Sequence, residues 1–117
     1  MLPREHRLRL SSDFARVRRE GRAWSHPWLV VTAVPNGGTV SRVGFTVSKR
    51  VGKAHVRNLV RRRLREAMRA HLPRLVPGYD IVIISRPALA TQSFTALAGA
   101  LAQQLRHARL LNRVVGP

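Results

Sequence analysis

The sequence of 117 residues contains no cysteine. This absence excludes disulfide bridges, zinc sites built on thiolates and cysteine nucleophiles. No apolar run approaches the ~18–20 residues that a membrane-spanning helix needs. Residues 1–10 alternate basic with apolar side chains and lack the continuous apolar stretch of a secretory signal. We therefore expect a cytoplasmic protein.

Acidic residues are scarce. Asp and Glu number five against 22 Lys and Arg, which gives a formal net charge of +17, and only two of the 22 are Lys. A small domain with this charge repels itself, so the imbalance is typical of a protein that binds a polyanion. Nucleic acid is the first candidate and an anionic membrane surface the second.

The few acidic side chains also argue against a metal-dependent active site, since metal-assisted phosphodiester cleavage usually needs clustered carboxylates. Asp13 and Glu20 lie two helical turns apart, Glu66 is within one turn of two arginines, and Asp80 opens an apolar strand. Capping or ion pairing explains each of them better than catalysis. None of the five histidines has His, Asp or Glu four residues away. A stand-alone nuclease is therefore only the third alternative.

The length corresponds to one domain, with residues 1–8 and 112–117 expected to be flexible. Ser11, Ser12 and Asp13 offer N-cap residues for a first helix and Gly21 a C-cap. The further predicted elements are a short strand near Trp24, strands at 28–34 and 42–48, a helix over 54–72, a buried strand at 79–84, a loop at 87–92, and a last helix over 94–108 capped by Thr91 or Ser93. This order predicts an α+β or α/β sandwich.

The segment from Ser48 to Arg69 is the strongest functional signal. On a helical wheel its apolar residues form one stripe: Val56, Val60, Leu64, Ala67 and Met68. Asn58, Arg61, Arg62, Arg65 and Arg69 form roughly the opposite arc, with Arg57 at its border. The arginines at 57, 61, 65 and 69 recur every four residues and lie about 6 Å apart, close to the phosphate spacing of a nucleic-acid strand. Guanidinium groups also fit phosphate oxygens with two hydrogen bonds.

Two other interpretations of this segment are a solvated basic face and a membrane-surface helix. Only Glu66 lies in the segment to neutralise its charge, which disfavours the first. The apolar stripe is needed for the core and carries no Trp or Phe, which disfavours the second. One Asn and no Gln on the helix point to phosphate contact more than base reading, and RNA is weakly favoured over duplex DNA. Phe14 is a core residue by default, or an aromatic on which an unpaired base could stack.

The combined motifs resemble the bacterial ribonuclease P protein component over about residues 7–111. The family's "RxGxxVSKK" signature corresponds to Arg42–Arg50, and its "RNRxKRxxRE" segment to Arg57–Glu66. The first helix matches at Phe14, Val17 and Gly21, and the buried strand with its "DxVxxxR" pattern at residues 80–86. One departure is Leu59, which stands where the family has the last arginine of its RNR triplet.

The resemblance implies a four-stranded sheet in an α-β-β-β-α-β-α order with a left-handed parallel crossover. It implies a protein subunit without catalytic residues, whose partner RNA removes the 5′ leader of precursor tRNA. The implied partners are the catalytic RNA and precursor tRNA, with no membrane and no small-molecule substrate. No cofactor or metal is expected on the protein alone, whereas the RNA of the holoenzyme needs Mg²⁺. A general RNA-binding or ribosomal-type protein is the alternative.

Residue matching gives the expected site, to which the helical periodicity adds Arg69. The expected RNA-binding residues are Lys49, Arg50, Lys53, Arg57, Asn58, Arg61, Arg62, Arg65 and Arg69. Phe14 and Thr32 are expected in a cleft for the leader, between the sheet and the first helix. Leu59 is not assigned a role.

Overall fold

The computed structural model describes residues 2–112. Its helices are α1 (Ser11–Glu20), α2 (Ala54–Arg69) and α3 (Phe94–His107), and its strands are β1 (Arg22–Ser25), β2 (Leu29–Pro35), β3 (Arg42–Thr46) and β4 (Tyr79–Ser85). Short 3-10 turns occupy Arg4–His6, Lys49–Val51, Leu72–Arg74 and Pro87–Thr91. The predicted α-β-β-β-α-β-α order is confirmed. Within residues 2–112 no helix is both long and apolar enough to cross a bilayer.

The four strands form one mixed sheet in the order β1-β2-β4-β3. β2 is antiparallel to both β1 and β4, whereas β3 is parallel to β4, with Arg42 opposite Asp80 and Thr46 opposite Ile84. β4 is therefore an interior strand, as its continuous apolar run predicts. The chain passes from β3 to β4 through α2, and the left-handed sense of that crossover stays a prediction.

The two faces of the sheet are covered unequally. α2 and α3 pack on one face over the main core, in which Leu64, Met68, Ile81, Ile83 and Leu101 are fully buried. α1 alone packs on the other face, over a small cluster of Leu8, Val17 and Val82. Because one ten-residue helix cannot cover four strands, the second face stays partly open.

The predicted helices form, but the ends of α1 differ from the expectation. α1 begins at Ser11 with Leu10 at the N-cap and no side-chain cap, since the Asp13 carboxylate lies 3.9 Å from Arg16 and 3.7 Å from Arg42. Gly21 has extended backbone and not the left-handed C-cap conformation. A Cβ at Gly21 would lie 2.4 Å from the Val17 carbonyl oxygen, so close approach explains this glycine.

The other boundaries differ by a few residues. β3 ends at Thr46 and α2 at Arg69, and the predicted loop after β4 contains the turn Pro87–Thr91. The Ser93 hydroxyl caps α3 by accepting a hydrogen bond from the Ala96 amide at 3.1 Å, which confirms one of the two predicted caps.

The N-terminal segment is docked, contrary to the expectation of flexibility. Leu2 and Leu8 are buried, the Leu8 amide donates to the Val43 carbonyl at 3.0 Å, and Arg7 forms a parallel bridge with Val43. The segment thus continues the sheet beyond β3. At the other end, Asn112 is bonded to Arg74, and the expected flexibility of 113–117 lies outside the described residues.

Candidate nucleic-acid interface

The basic segment begins with a tight turn that leads into α2. Lys49 and Arg50 lie in the turn Lys49–Val51, Lys53 occupies the N-cap of α2, and all three side chains are exposed. Gly52 joins them with a φ of 153°, and a Cβ there would contact Val56 at 3.1 Å. The first turn of α2 holds no acidic residue. Three cations therefore surround the positive end of a helix, an arrangement that attracts anions.

The amphipathic prediction for α2 is confirmed. Val60, Leu64, Ala67 and Met68 are buried, whereas Asn58 and Arg62 are exposed. Arg63, on the apolar side, is half-buried and donates to the Gln92 carbonyl at 3.4 Å. Packing against the sheet and α3 thus fixes which arginines face outward.

The four arginines that recur every four residues along α2, Arg57, Arg61, Arg65 and Arg69, form a ridge that is held by local hydrogen bonds. Arg61 donates to the Asn58 side chain at 3.1 Å and to the Val47 carbonyl at 3.3 Å. Arg65 donates to the Arg61 carbonyl at 3.4 Å, and the buried Nε of Arg57 has no hydrogen-bond partner among the described residues. These bonds leave donors free on each guanidinium, because each carries five N–H groups.

Arg69 differs from the other members of the ridge. Its guanidinium donates to the Glu66 carboxylate at 2.8 Å, which confirms the ion-pair interpretation of Glu66. Leu59 is 37% exposed on the same helix. The arginines of α2 that have no carboxylate partner among the described residues therefore lie between Arg57 and Arg65.

Arg61 and Arg65 also line a pocket of about 210 Å³ at the outer edge of β3. The other side of this pocket consists of Phe14, Phe45, Arg7 and Arg9. Sequence reasoning missed Arg7 and Arg9, since only the pairing of residues 7 and 8 with Val43 brings them beside α2. The pocket therefore joins the ridge to the aromatic side chain of α1.

Phe14 is held in place by Gly44. The ring lies so close over β3 that a Cβ at Gly44 would be 2.3 Å from Phe14 Cζ. Phe14 is half-buried and packs on the Leu8–Val17–Val82 cluster. It is thus part of the small core and of the pocket wall at once, and the glycine of the "RxGxxV" pattern gives its ring room.

The open part of the sheet lies beside α1. Val30, Thr46 and Ile84 are only partly buried there, on neighbouring strands. Thr32 shares this face, but it is only 5% exposed because Gly21 at the end of α1 covers it. The expectation that Thr32 offers a contact surface is corrected accordingly: it lies under α1 and outside the open part.

A groove at the far end of this face adds charge to it. Its lining includes Ser48, Arg50, Ile84 and Arg86, and Arg86 donates to the Ser25 hydroxyl at 3.3 Å. Arg86 was matched to the family pattern without being assigned to the site, because the spacing alone did not show which face it would reach. The open face therefore has an apolar floor and a basic end.

Asp80, at the start of β4, is the centre of a buried network of hydrogen bonds and ion pairs. Its carboxylate is fully buried and accepts hydrogen bonds from Arg42 at 2.7 and 2.9 Å, from Asn36 at 3.0 Å and from Arg16. Burial alone would raise the pKa of Asp80, but the hydrogen bonds from Arg42 and Asn36 and the charges of Arg42 and Arg16 lower it below its ordinary value. The hydrogen bond to Asp80 likewise raises the pKa of Arg42. This network ties α1 and β3 to β4.

Within residues 2–112, no three His, Asp or Glu side chains lie close enough together to hold a metal ion. The acidic side chains at 13, 20, 66 and 80 all lie within ion-pair distance of an arginine. The described surface therefore carries the cations of α2, the rings of Phe14 and Phe45, and a partly buried apolar patch on the open face of the sheet.

Comparison with known proteins identifies the family. The sequence profile of the ribonuclease P family, "Ribonuclease P", matches residues 2–109. A ribonuclease P protein component of Roseiflexus sp. (strain RS-1) is 46% identical over 111 residues, which is 94% of this chain and 91% of the relative. That of Chloroflexus aurantiacus (strain J-10-fl) is 46% identical over 119 residues, covering 97% and 88%.

Solved structures agree with the sequence relatives. The RNase P protein of Staphylococcus aureus superposes with a TM-score of 0.85 at 27% identity, covering 92% of this chain and 98% of that one. The RNase P protein of Thermotoga maritima gives 0.79 at 33% identity, covering 86% and 96%. The chain therefore belongs to the family of ribonuclease P protein components, the protein subunits of an RNA-containing enzyme that processes tRNA.

Proposed function

We propose that this protein binds the catalytic RNA of ribonuclease P through α2 and the turn before it, and binds the 5′ leader of precursor tRNA along the open sheet face. The observation that carries the proposal is the pocket in which Arg61 and Arg65 meet Phe14. It brings the arginines of α2 beside Phe14, and Phe14 packs on the same small cluster as the partly buried Ile84 of the open sheet face. One surface can therefore hold the RNA subunit and position its substrate beside it, in the cytoplasm.

The two parts of the surface suit different RNA structures. A ridge of guanidinium groups at about 6 Å spacing fits a phosphate backbone whatever its sequence. An open floor with an aromatic edge fits unpaired bases, which stack on aromatic side chains. The ridge thus serves a structured RNA and the floor a single strand.

We place the phosphodiester chemistry on the RNA and its Mg²⁺. Four of the five acidic side chains, at 13, 20, 66 and 80, lie within ion-pair distance of an arginine, most completely at Asp80. The protein's part is to strengthen binding of substrate and metal ions by supplying positive charge where two RNA molecules meet. No small molecule, protein-bound cofactor or membrane is involved.

The first test is cleavage of a precursor tRNA at low Mg²⁺, with the matching catalytic RNA and with or without this protein. We expect the protein to stimulate cleavage only in the presence of the RNA, and to favour leader-bearing precursor over mature tRNA. Equal binding to many RNAs without stimulation would instead support a general RNA-binding protein. Cleavage by the protein alone would place an active site on it and contradict the proposal.

Phe14→Ala is expected to weaken affinity for a leader-bearing precursor by about 1–3 kcal/mol, the usual contribution of one stacked base. The salt dependence of binding should stay nearly constant, since no charge is lost. Affinity for the catalytic RNA alone is the internal control, and the unfolding midpoint in urea reports the contribution of Phe14 to the core.

Gly44→Ala gives a second variant for the same ring. The added methyl group must displace Phe14, so leader affinity should fall although Phe14 and every charge are retained. If both variants bind the leader with wild-type affinity while remaining folded, the ring does not contact the leader.

A further inference from the structure

A second basic cleft lies at the end of the fold away from Lys49, Arg50 and Lys53. It is lined by Arg74, Arg106 and Arg109 together with Leu111 and Asn112. Arg74 follows the C-terminal end of α2, and Arg106 and Arg109 lie at the end of α3. Since a helix of 16 residues such as α2 is about 24 Å long, this cleft is a full helix length from the positive end of α2.

The cleft is held by backbone pairing between two segments distant in sequence. Leu75 and Leu111 form an antiparallel bridge, the Val76 amide donates to the Leu110 carbonyl at 2.8 Å, and the Asn112 amide donates to the Arg74 carbonyl at 2.6 Å. The Arg74 guanidinium donates to the Asn112 carbonyl at 3.0 Å. The cations therefore stand on a fixed frame, which reduces the entropy lost when a ligand binds.

Arg109 occupies a position that normally requires glycine. Its φ is 57°, and among the described residues no other non-glycine has positive φ. The Leu110 amide donates to the Leu105 carbonyl and the Arg109 amide to the Arg106 carbonyl, each at 3.0 Å. This is the Schellman pattern of a helix end, in which glycine usually stands where Arg109 does. A non-glycine residue at this position costs stability, and the strained backbone places the Arg109 side chain at the rim of the cleft.

Among residues 2–112, no acidic side chain lines this cleft. No acidic side chain follows Asp80 in the sequence, and Glu66 on the preceding helix is bonded to Arg69. The half-buried His71 stands nearby, and burial together with the charges of Arg74 and Arg106 lowers the pKa of its imidazole. Neutralising the C-terminal ends of α2 and α3 explains one cation at each end. It does not explain a third in a strained conformation.

We propose that the cleft of Arg74, Arg106 and Arg109 is a second RNA-binding site, which takes backbone phosphates of a segment separate from the one on α2. The inference rests on the proposed function, because that function supplies a large polyanion next to the protein. Guanidinium groups match phosphate oxygens in geometry as well as charge. The protein would then contact RNA at both ends of α2. We expect the phosphates bound in this cleft to belong to the RNA subunit.

The test uses the double variant Arg106→Gln/Arg109→Gly, which removes two cations and restores the glycine that the helix end favours. We expect an unfolding temperature at least as high as that of the wild type, together with affinity for the catalytic RNA lowered at least tenfold at low salt. The slope of log affinity against log salt should flatten by about 1.4, at roughly 0.7 per lost contact. A variant that folds better and binds worse separates a binding role from a structural one.

Two comparisons complete the experiment. Arg19→Gln/Arg22→Gln removes the same charge from exposed positions on α1 and β1. This control should change RNA affinity and its salt dependence much less than Arg106→Gln/Arg109→Gly does. Titrations with catalytic RNA alone and with precursor tRNA alone show which RNA supplies the phosphates. A loss of affinity for either RNA in the Arg106/Arg109 variant supports the site. Wild-type affinity for both RNAs would overturn it. If Arg61→Ala/Arg65→Ala still weakens binding in that case, the proposed function stands without the second site, whereas if that variant also binds normally both proposals fail.

Discussion

Replacing Asp80 with asparagine is expected to lower the free energy of unfolding by about 2–4 kcal/mol. Removing one partner of a buried ion pair costs roughly 3–5 kcal/mol, and the lower figure here reflects that the Arg16 and Arg42 side chains are 28% and 36% exposed and keep some water. The substituted amide would still accept a hydrogen bond from Asn36 or one arginine, but it could not balance two guanidinium charges. Urea unfolding at neutral pH measures the loss.

The same carboxylate gives stability a defined pH dependence. Because the pKa of Asp80 is lower in the folded protein than its ordinary value, its contribution is fully present above the unfolded pKa of about 4. The contribution is then lost as the pH falls through the lower folded pKa. The gap in stability between wild type and Asp80→Asn should therefore be constant at neutral pH and shrink as the pH falls below about 4.

Glu66→Gln is the matched control for this experiment. It also removes a carboxylate from an arginine pair, but both side chains of the pair are more than half exposed, so the expected loss is well under 1 kcal/mol. If Asp80→Asn were as stable as Glu66→Gln, or if its deficit persisted unchanged in acid, Asp80 would not be the electrostatic anchor of α1 and β3.

Removing two members of the ridge, as Arg61→Ala/Arg65→Ala, is expected to weaken binding to the catalytic RNA roughly 100-fold. This corresponds to about 1.5 kcal/mol for each lost charge-assisted hydrogen bond. If about five cations contact phosphates, the wild-type slope of log affinity against log salt is near −3.5, and the double variant should flatten it by roughly 1.4. Filter binding over a series of salt concentrations gives both quantities.

The charge-matched comparison is Arg19→Ala/Arg22→Ala. Arg19 is bonded to Glu20 on α1, and Arg22 lies 5.2 Å from the Trp24 ring on β1, at the opposite edge of the sheet from β3. A general effect of net charge would change both double variants alike. An unchanged slope in Arg61→Ala/Arg65→Ala would remove these two residues from the interface.

The elements were predictable wherever the local pattern reflects burial. The 3.6-residue period of α2 identified its buried stripe, and the apolar run of β4 identified a strand covered on both faces. The capping of α1 was not predictable, since Asp13 turns toward Arg42, which is 29 residues away in sequence. Local propensity gives no information about such a partner.

The candidate site was only partly predictable for the same reason. Periodicity indicated the arginines of α2. The family resemblance added Lys49 and Lys53 as site residues and favoured leader contact for Phe14, which its residue type alone left between a core and a stacking role. Arg7 and Arg9 were missed because their position depends on a bridge from residue 7 to Val43. Thr32 matched the cleft by position, but its burial depends on the approach of Gly21. Residue type and spacing thus predict which side chains could bind, whereas long-range pairing determines which ones are accessible.

The strand order also has a consequence for synthesis of the chain. β4 lies between β2 and β3 but is made last of the four strands. At about 5–20 residues per second, the roughly 40 residues between the end of β3 and the end of β4 take some 2–8 seconds to translate. During that interval β1 and β2 can pair, but β3 has no neighbouring strand until β4 is made, and the arginine-rich segment lacks the complete sheet on which α2 packs. Folding therefore waits for Ser85 to leave the ribosome, an RNA-rich surface to which the exposed cations are attracted in the meantime.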